Sequence, residues 1–210
     1  GLLQFFGISS MDAFQATWNQ GAVAYRRSAV GHHDPHRLAT WLRAAEQNCT
    51  PGDFPAYDRE SLEAALPELR SLTVEDPAQA VQRAQALLRD CGVALTLVPA
   101  MPGLGTHGAT RWIQGHPLIQ LSDLWKCDDQ LWFTLFHEIA HVLLHESNGL
   151  YLNNDHDSHE KEADTYASRF LVPEDYEDRL PRHRNLDEVK ELAKELGMAP
   201  SIVLGQAQHR

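Results

Sequence analysis

The residues best able to do chemistry lie in one short run, His137-Glu138-Ile139-Ala140-His141, which is an HExxH motif. On a helix, two histidines four positions apart share one face and lie about 6 Å apart along the axis. Imidazoles at that spacing can bind one Zn²⁺, and the glutamate beside the first histidine can reach a water molecule at the metal without binding the metal itself. The spacing predicts a zinc site with His137 and His141 as ligands and Glu138 as the catalytic base of a peptidase.

The sequence around the motif supports this interpretation. Residues 131–144 are apolar at almost every other position, so the helix is predicted to be buried. Two buried imidazoles and a buried carboxylate need polar partners, because such groups otherwise cost several kcal/mol. A metal ion supplies one partner. The alternative is a pair of core histidines that are satisfied by ordinary hydrogen bonds.

A peptidase zinc needs a third protein ligand, and Glu160 and Glu162 compete for that role in the next predicted helix. Glu160 shares its face with mostly apolar residues: Ala163, Asp164, Ala167, Phe170 and Leu171. Glu162 shares its face with residues typical of a solvated surface: Thr165, Tyr166 and Arg169. Periodicity therefore favours Glu160 as the ligand, with Glu162 as the alternative.

Other polar residues near the motif could support the metal. Asp164, one turn beyond Glu160, is expected to accept a ring N–H from a ligand histidine and so fix its tautomer; the alternative is a surface aspartate. His145 lies about 12 Å along the axis from His137, too far for the same metal on a straight helix. Structural, substrate-contacting and outer-sphere roles stay open for it. His156 and His159 could stabilise an oxyanion, but a solvated loop is the simpler interpretation.

These residues need a scaffold of both strands and helices. Helices are predicted over about 130–146 and 158–171, and a strand over 93–98. Residues 109–114 and 118–122 flank Gly115-His116-Pro117, which predicts a hairpin. Strand 109–114 could form the edge of the sheet beside the zinc and pair with a substrate peptide. The alternative is an ordinary internal strand.

The remaining helices divide the chain into two predicted parts. Helical spacing covers 11–28 and 35–47, and a Pro/Gly-containing linker follows over 48–57. Further helices are predicted near 58–69, 76–90, 186–196 and 200–207. The predicted organisation is an α-helical N-terminal segment over 1–57 and an α+β, zincin-like metallopeptidase domain over 58–210.

Composition excludes several classes of protein. The 210-residue chain has a net charge of −11, whereas general nucleic-acid binders are basic, so direct nucleic-acid binding is not expected. A local basic stretch containing Arg26, Arg27, Arg37 and Arg43 is interpreted as a solvated helix face. The three cysteines form no CxxC pair, which favours a reducing compartment. No run of residues is long and apolar enough to suggest a membrane span.

The two spaced motifs resemble the ImmA/IrrE family of metallo-endopeptidases. The resemblance covers roughly 91–210 and is carried by Phe136–His145, by Glu160–Ala167 and by Phe170-Leu171-Val172-Pro173. It implies a gluzincin-like α+β fold, a cytoplasmic location, and zinc bound by His137, His141 and Glu160. Characterised members cleave helix-turn-helix repressors in stress or mobile-element regulation. The N-terminal stretch is similar to versions that follow an XRE-type helix-turn-helix domain, which is expected to precede Gly1.

Three functions are consistent with these observations. The first is an active zinc endopeptidase with a specific protein substrate. The second is a catalytically silent sensory or regulatory module of an XRE-type transcription regulator or antitoxin. The third is a zinc hydrolase that is not a peptidase. The presence of Glu138 favours an active enzyme, because a binding module needs no base.

Overall fold

The computed structural model describes residues 1–18, 34–49, 54–124, 127–145, 150–152, 158–181 and 185–208. The elements before the sheet are α1 (Leu2–Phe6), α2 (11–18), α3 (Pro35–Gln47), α4 (Arg59–Ser71), a 3₁₀ turn (Leu72–Val74) and α5 (Pro77–Asp90). The remaining elements are β1 (Ala94–Leu97), β2 (Gly108–Ile113), β3 (His116–Leu121), α6 (Asp128–Leu144), β4 (Leu150–Leu152), α7 (Ser158–Leu171), α8 (Glu174–Glu177), α9 (Leu186–Leu196) and α10 (Pro200–Gln208). The α+β class predicted from the sequence is confirmed.

Local capping explains where several helices begin. The side chains of Asp34, Asp58 and Asp76 each accept a backbone N–H from the first turn of the helix that follows. Pro35 and Pro77 occupy the first helical position, where the missing N–H costs nothing. The predicted helices over 76–90, 158–171 and 186–196 agree with the structure to within a residue or two.

The four strands form one sheet in the order β1-β3-β2-β4. Strand β1 is parallel to β3, whereas β2 runs antiparallel to both β3 and β4. The predicted hairpin is confirmed: Gln114 and Gly115 form its two-residue turn with φ values of 51° and 86°. Positive φ at both positions is the conformation that matches the right-handed twist of a hairpin.

The prediction that 109–114 forms the edge of the sheet is wrong. Strand β2 lies between β3 and β4, and Ala109, Thr110 and Arg111 pair with β4. Strand β4 has only three residues, and its position depends on pairing with a distant segment rather than on a local pattern. Sequence periodicity therefore could not indicate the strand that covers β2.

Both faces of the sheet are covered by helices. We call one the α6 face; it carries Leu95, Thr110, Ile119 and Leu121 and contacts the largest apolar core, which includes residues of α4 to α7, α9 and α10. We call the other the N-terminal face; it carries Ala94, Ala109, Leu118 and Gln120. A second apolar core lies against this N-terminal face. Because successive side chains of a strand point to opposite faces, the same sheet contributes to both cores.

The N-terminal face is covered by α3 and by residues 14 and 18 of α2. Trp41 of α3 is 1% exposed, and its indole N–H donates to the Val98 carbonyl at 3.3 Å. The Gln120 amide of β3 in turn donates to the Trp41 carbonyl at 2.8 Å. These contacts attach the N-terminal helices to the sheet, and the boundary between 1–57 and 58–210 stays a prediction.

The structure bears on the predictions about the cysteines and about membrane spans. Cys49, Cys91 and Cys127 are all free thiols. Within the described ranges, every helix is too short or too polar to cross a lipid bilayer.

Candidate metal centre

Helix α6 carries the HExxH motif through the middle of the protein. His137, Glu138 and His141 are 1%, 0% and 0% exposed, so all three polar side chains are buried as predicted. Helix α6 packs against the sheet on one side and against α7 on the other. This arrangement brings the second motif, on α7, to the histidines of the first.

Three side chains converge at the interface of the two helices. The Nε2 atoms of His137 and His141 are 3.1 Å apart. The Glu160 carboxylate reaches both rings, with Oε2 3.1 Å from His137 Nε2 and Oε1 3.0 Å from His141 Nε2. Ligand atoms of the three residues all lie within 4.8 Å of one another.

The separations fit a divalent metal ion. In a tetrahedral zinc site, ligand atoms about 2.1 Å from the ion are about 3.4 Å from one another. The observed 3.0–3.1 Å separations are close to that value. Two neutral histidines and one carboxylate also form a donor set that such an ion accepts.

The competition between the two glutamates is resolved by burial. Glu160 is 8% exposed and lies at the convergence point. The Glu162 side chain is 60% exposed and contacts His145 instead, with 3.0 Å between Oε2 and Nε2. The structure therefore brings together the three residues favoured by helical periodicity.

Asp164 lies where the sequence predicts it, one turn beyond Glu160 on α7. Its Oδ1 atom is 2.8 Å from His137 Nδ1, the ring nitrogen opposite the convergence point. A carboxylate at that position holds the proton on Nδ1 and leaves Nε2 free to bind a metal. The contact is part of the structure, and its effect on metal binding stays a prediction.

The electrostatics reflect the crowding of these groups. Burial opposes protonation of His137, but hydrogen bonds to Asp164 and Glu160, together with the neighbouring carboxylate charges, outweigh it and raise its pKa to about 10. Burial lowers the pKa of His141. Burial also disfavours an ionised Glu160, yet hydrogen bonds to the two histidines outweigh it and lower its pKa. Without a cation, the neighbouring carboxylates therefore favour a protonated His137, and a metal ion bound there would displace that proton.

Glu138 contacts strand β2. Its Oε2 atom accepts a hydrogen bond from Thr110 Oγ1 at 2.7 Å, and the same hydroxyl lies 3.1 Å from the Glu138 backbone carbonyl. Its Oε1 atom has no hydrogen-bond partner among the described residues. Burial raises the pKa of Glu138 to about 8, although the charge of His137 and the Thr110 hydrogen bond oppose this shift.

Two residues of the site were missed by the sequence analysis, Thr110 and Gly108. A Cβ atom on Gly108 would lie 2.3 Å from Glu138 Oε1, so only glycine allows the carboxylate this position. Neither residue belongs to a motif. Their importance depends on how closely β2 approaches α6, which local sequence does not encode.

The other histidines near the motif have different surroundings. His145 is 8% exposed, and its Nδ1 atom lies 3.1 Å from His141 Nδ1. His159 is exposed, with its ring centroid 4.4 Å from that of His145. His156 lies outside the described residues.

A cavity of about 440 Å³ lies near the metal centre. Its walls combine apolar and polar residues: His107, Asp129, Gln130, Phe133, Thr134, Asp164, Ser168, Ile202, Gly205 and Gln206. Asp164 in its wall contacts His137, and His107 precedes Gly108 in the chain, so the cavity lies near the site although the converging side chains do not line it. It offers space for part of a substrate.

Comparison with known proteins agrees with this geometry. Residues 93–205 match the model of the M78 peptidase family, described as the IrrE N-terminal-like domain. The matched range begins just before β1 and ends within α10, so it contains the whole sheet and both helices of the site. No curated protein matches the chain.

Proposed function

This chain belongs to the M78 peptidase family of IrrE N-terminal-like domains, and we propose that it is a zinc-dependent endopeptidase whose substrate is a helix-turn-helix transcriptional repressor. The observation that carries the proposal is the buried convergence of His137, His141 and Glu160 beside Glu138. Burying these polar groups costs free energy that a bound ion would offset. Such clusters of buried ionisable groups are typical of functional sites.

Zinc is the proposed metal because of the donor set. Two imidazoles and one carboxylate suit Zn²⁺ and leave a coordination position for substrate or water. A zinc ion held there supplies Lewis acidity, which polarises a peptide carbonyl and makes water easier to deprotonate. His137 and His141 bind through Nε2, and Asp164 holds the His137 ring in the orientation that this requires.

Glu138 is the proposed general base and acid. It accepts a proton from the attacking water and delivers it to the leaving amine. Its buried position supports this role, since a carboxylate whose pKa is raised to about 8 is a stronger base than an exposed one. Thr110 fixes one carboxylate oxygen, and Gly108 provides the space for the other.

The substrate class rests on the resemblance to repressor-cleaving metallo-endopeptidases. The cavity beside the site is the proposed place for a substrate side chain next to the cleaved bond. A cytoplasmic location is part of the same proposal, and the three free thiols accord with a reducing compartment.

The test is cleavage of helix-turn-helix repressors encoded near the gene for this chain. Zinc-loaded wild-type protein is incubated with each repressor, and the products are separated and identified by mass spectrometry. The same reaction is run with Glu138→Gln and with a chelator. Glu191→Gln, an exposed change on α9, is the matched control. Cleavage by the wild type and the control alone is the expected result.

Two outcomes would contradict the proposal. Full activity of Glu138→Gln would show that Glu138 is not the catalytic base. Zinc uptake without cleavage of any repressor would favour the alternative function, a catalytically silent regulatory module.

A further inference from the structure

His145 and Glu162 extend the metal centre along α6 and α7 towards the surface. His145 follows α6 as its C-cap, one turn beyond His141, and its backbone N–H donates to the His141 carbonyl at 3.2 Å. Its ring is buried, with Nδ1 3.1 Å from His141 Nδ1 and Nε2 3.0 Å from Glu162 Oε2. The two contacts use both nitrogens of one imidazole.

The proton positions in this chain follow from the geometry. His141 Nε2 faces Glu160 and His137, so a metal bound at the convergence point takes the lone pair of Nε2. The proton of neutral His141 is then on Nδ1 and is donated to His145 Nδ1. Nδ1 of His145 is therefore the acceptor, its own proton is on Nε2, and Nε2–H donates to the Glu162 carboxylate. Each of these contacts then has one donor and one acceptor.

We propose that His145 is a positioning residue for the ligand His141, and that Glu162 positions His145. This inference rests on the proposed function in one respect, namely that His141 binds the metal. The arrangement parallels the other ligand, for which the Asp164 carboxylate contacts His137 Nδ1 at 2.8 Å. For His141 the carboxylate is one residue further away, with an imidazole between.

The two orienting carboxylates also share an exposed position. The side chains of Asp164 and Glu162 are 56% and 60% exposed, whereas the rings that they contact are almost completely buried. Each ligand histidine is thus connected to solvent through a hydrogen-bonded carboxylate. Glu162, which periodicity offered as the alternative ligand, acts in this proposal two hydrogen bonds away from the metal.

Metal affinity tests the proposal without any turnover. Zn²⁺ affinity is measured by competition with a chromophoric chelator for the wild type, His145→Leu and His145→Asn. Leucine fills the space but accepts no hydrogen bond, so affinity is expected to fall about 10–100-fold, the usual cost of losing an orienting partner. Asparagine keeps an acceptor near the Nδ1 position, so it is expected to recover a large part of that loss. His36→Leu, an exposed change on α3, is the matched control.

A spectroscopic measurement separates positioning from packing. Co²⁺ bound to wild type, His145→Leu and His145→Asn is compared by its visible absorption, which reports the geometry of the ligands. The Leu variant is expected to shift the bands, and the Asn variant to restore them. The Glu162 side chain is exposed, so Glu162→Ala is expected to leave the fold intact. It is expected to weaken Zn²⁺ binding severalfold, since it removes only the contact between Glu162 and His145.

The outcomes distinguish this inference from the proposed function. Wild-type affinity and an unchanged Co²⁺ spectrum in His145→Leu would overturn the positioning role and leave the metal site intact. An asparagine variant as weak as the leucine variant, together with no effect of Glu162→Ala, would also overturn it. A wild-type protein that takes up neither metal would overturn the metal site and this inference together.

Discussion

The α6 face and the N-terminal face of the sheet both bury polar side chains, but they pair them differently. On the N-terminal face, Gln120 donates to the Trp41 carbonyl and the Trp41 indole donates to the Val98 carbonyl. Each of these contacts joins two parts of the fold. On the α6 side, two imidazoles and a carboxylate are directed at one point. These contacts also join α6 to α7, but the meeting of three polar side chains at one point is in addition typical of a site that binds a ligand.

The two faces also differ in the charges that they bury. On the N-terminal face, Arg111 contacts Glu46 at 2.6 Å and also donates to the Leu42 carbonyl, so opposite charges are matched within the chain. Around helix α6, the carboxylates of Glu138 and Glu160 are both buried with histidines as their neighbours. Two carboxylates in one buried region need compensation by a protonated histidine, by a proton on one of the carboxylates or by a bound cation. The Arg111–Glu46 pair matches opposite charges and joins the N-terminal helices to the sheet. Within the part of the chain that the structure describes, the carboxylates around α6 lack such a matching Lys or Arg, which is typical of a site that binds a cation.

The largest expected effect tests the N-terminal face. Trp41→Ala removes a fully buried indole, and the free energy of unfolding is expected to fall by about 3–5 kcal/mol. Zn²⁺ affinity of the folded protein is expected to stay within a few-fold of the wild type, because Trp41 contacts no residue of the site. Urea unfolding and chelator competition check the two values. A parallel loss of metal affinity would break the distinction between the faces.

The next effect tests the α6 face. Glu160→Gln replaces a ligand carboxylate with a neutral amide, and Zn²⁺ affinity is expected to fall by more than the roughly 10–100-fold that orienting residues contribute. The apo protein is expected to remain folded, because glutamine keeps the shape of the side chain and its polar atoms can still contact the histidines. Metal content after dialysis and a thermal melt check both values. Glu191→Gln serves as the control, and wild-type metal content in Glu160→Gln would contradict the assignment.

A smaller effect is expected where the strand approaches the base. Gly108→Ala adds a Cβ atom that would lie 2.3 Å from Glu138 Oε1, so the carboxylate must move. Turnover of a cleaved repressor is expected to fall about 100-fold, in line with the cost of displacing a catalytic group by about 1 Å. Zn²⁺ affinity is expected to be retained, since Gly108 contacts no ligand. Wild-type turnover would show that the position of Glu138 is not critical.

The smallest effect concerns one hydroxyl. The Thr110 hydrogen bond favours ionised Glu138 and lowers its pKa, so Thr110→Val is expected to raise that pKa further. Because the base must be ionised, the acid limb of the pH–activity profile is expected to move to higher pH by about one unit. Thr110→Ser keeps the hydroxyl and should leave the limb in place. Equal pH–activity profiles for the Val and Ser variants would show that the Thr110 hydroxyl does not influence the pKa of Glu138.

The sequence predicted the α6 face better than the N-terminal face. The HExxH spacing, the apolar helix around it and the periodicity of 158–171 were sufficient to select Glu160 over Glu162. These signals are local, because residues on one helix face recur at fixed intervals. The hairpin was also predicted, but its turn lies at Gln114-Gly115 rather than at Gly115-His116-Pro117, since His116 and Pro117 pair within the sheet.

What the sequence could not predict depends on contacts between distant segments. Strand β4 is defined by its pairing with β2, and the prediction of an exposed edge over 109–114 was wrong for that reason. Thr110 and Gly108 matter only because β2 lies against Glu138. The packing of α3 on the sheet was likewise missed, since an amphipathic helix does not indicate which surface it covers.

Strand β2 has one further consequence for how this protein can be controlled. Thr110 touches the buried Glu138 on one side of the sheet, and Arg111, the next residue, pairs with Glu46 of α3 on the other. The N-terminal segment is therefore connected to the base through the Glu46–Arg111 ion pair, one peptide bond and the Thr110 hydrogen bond. Well-packed interiors transmit strain rather than absorb it. A displacement of α3 relative to β2 is consequently expected to change the position of the Glu138 carboxylate.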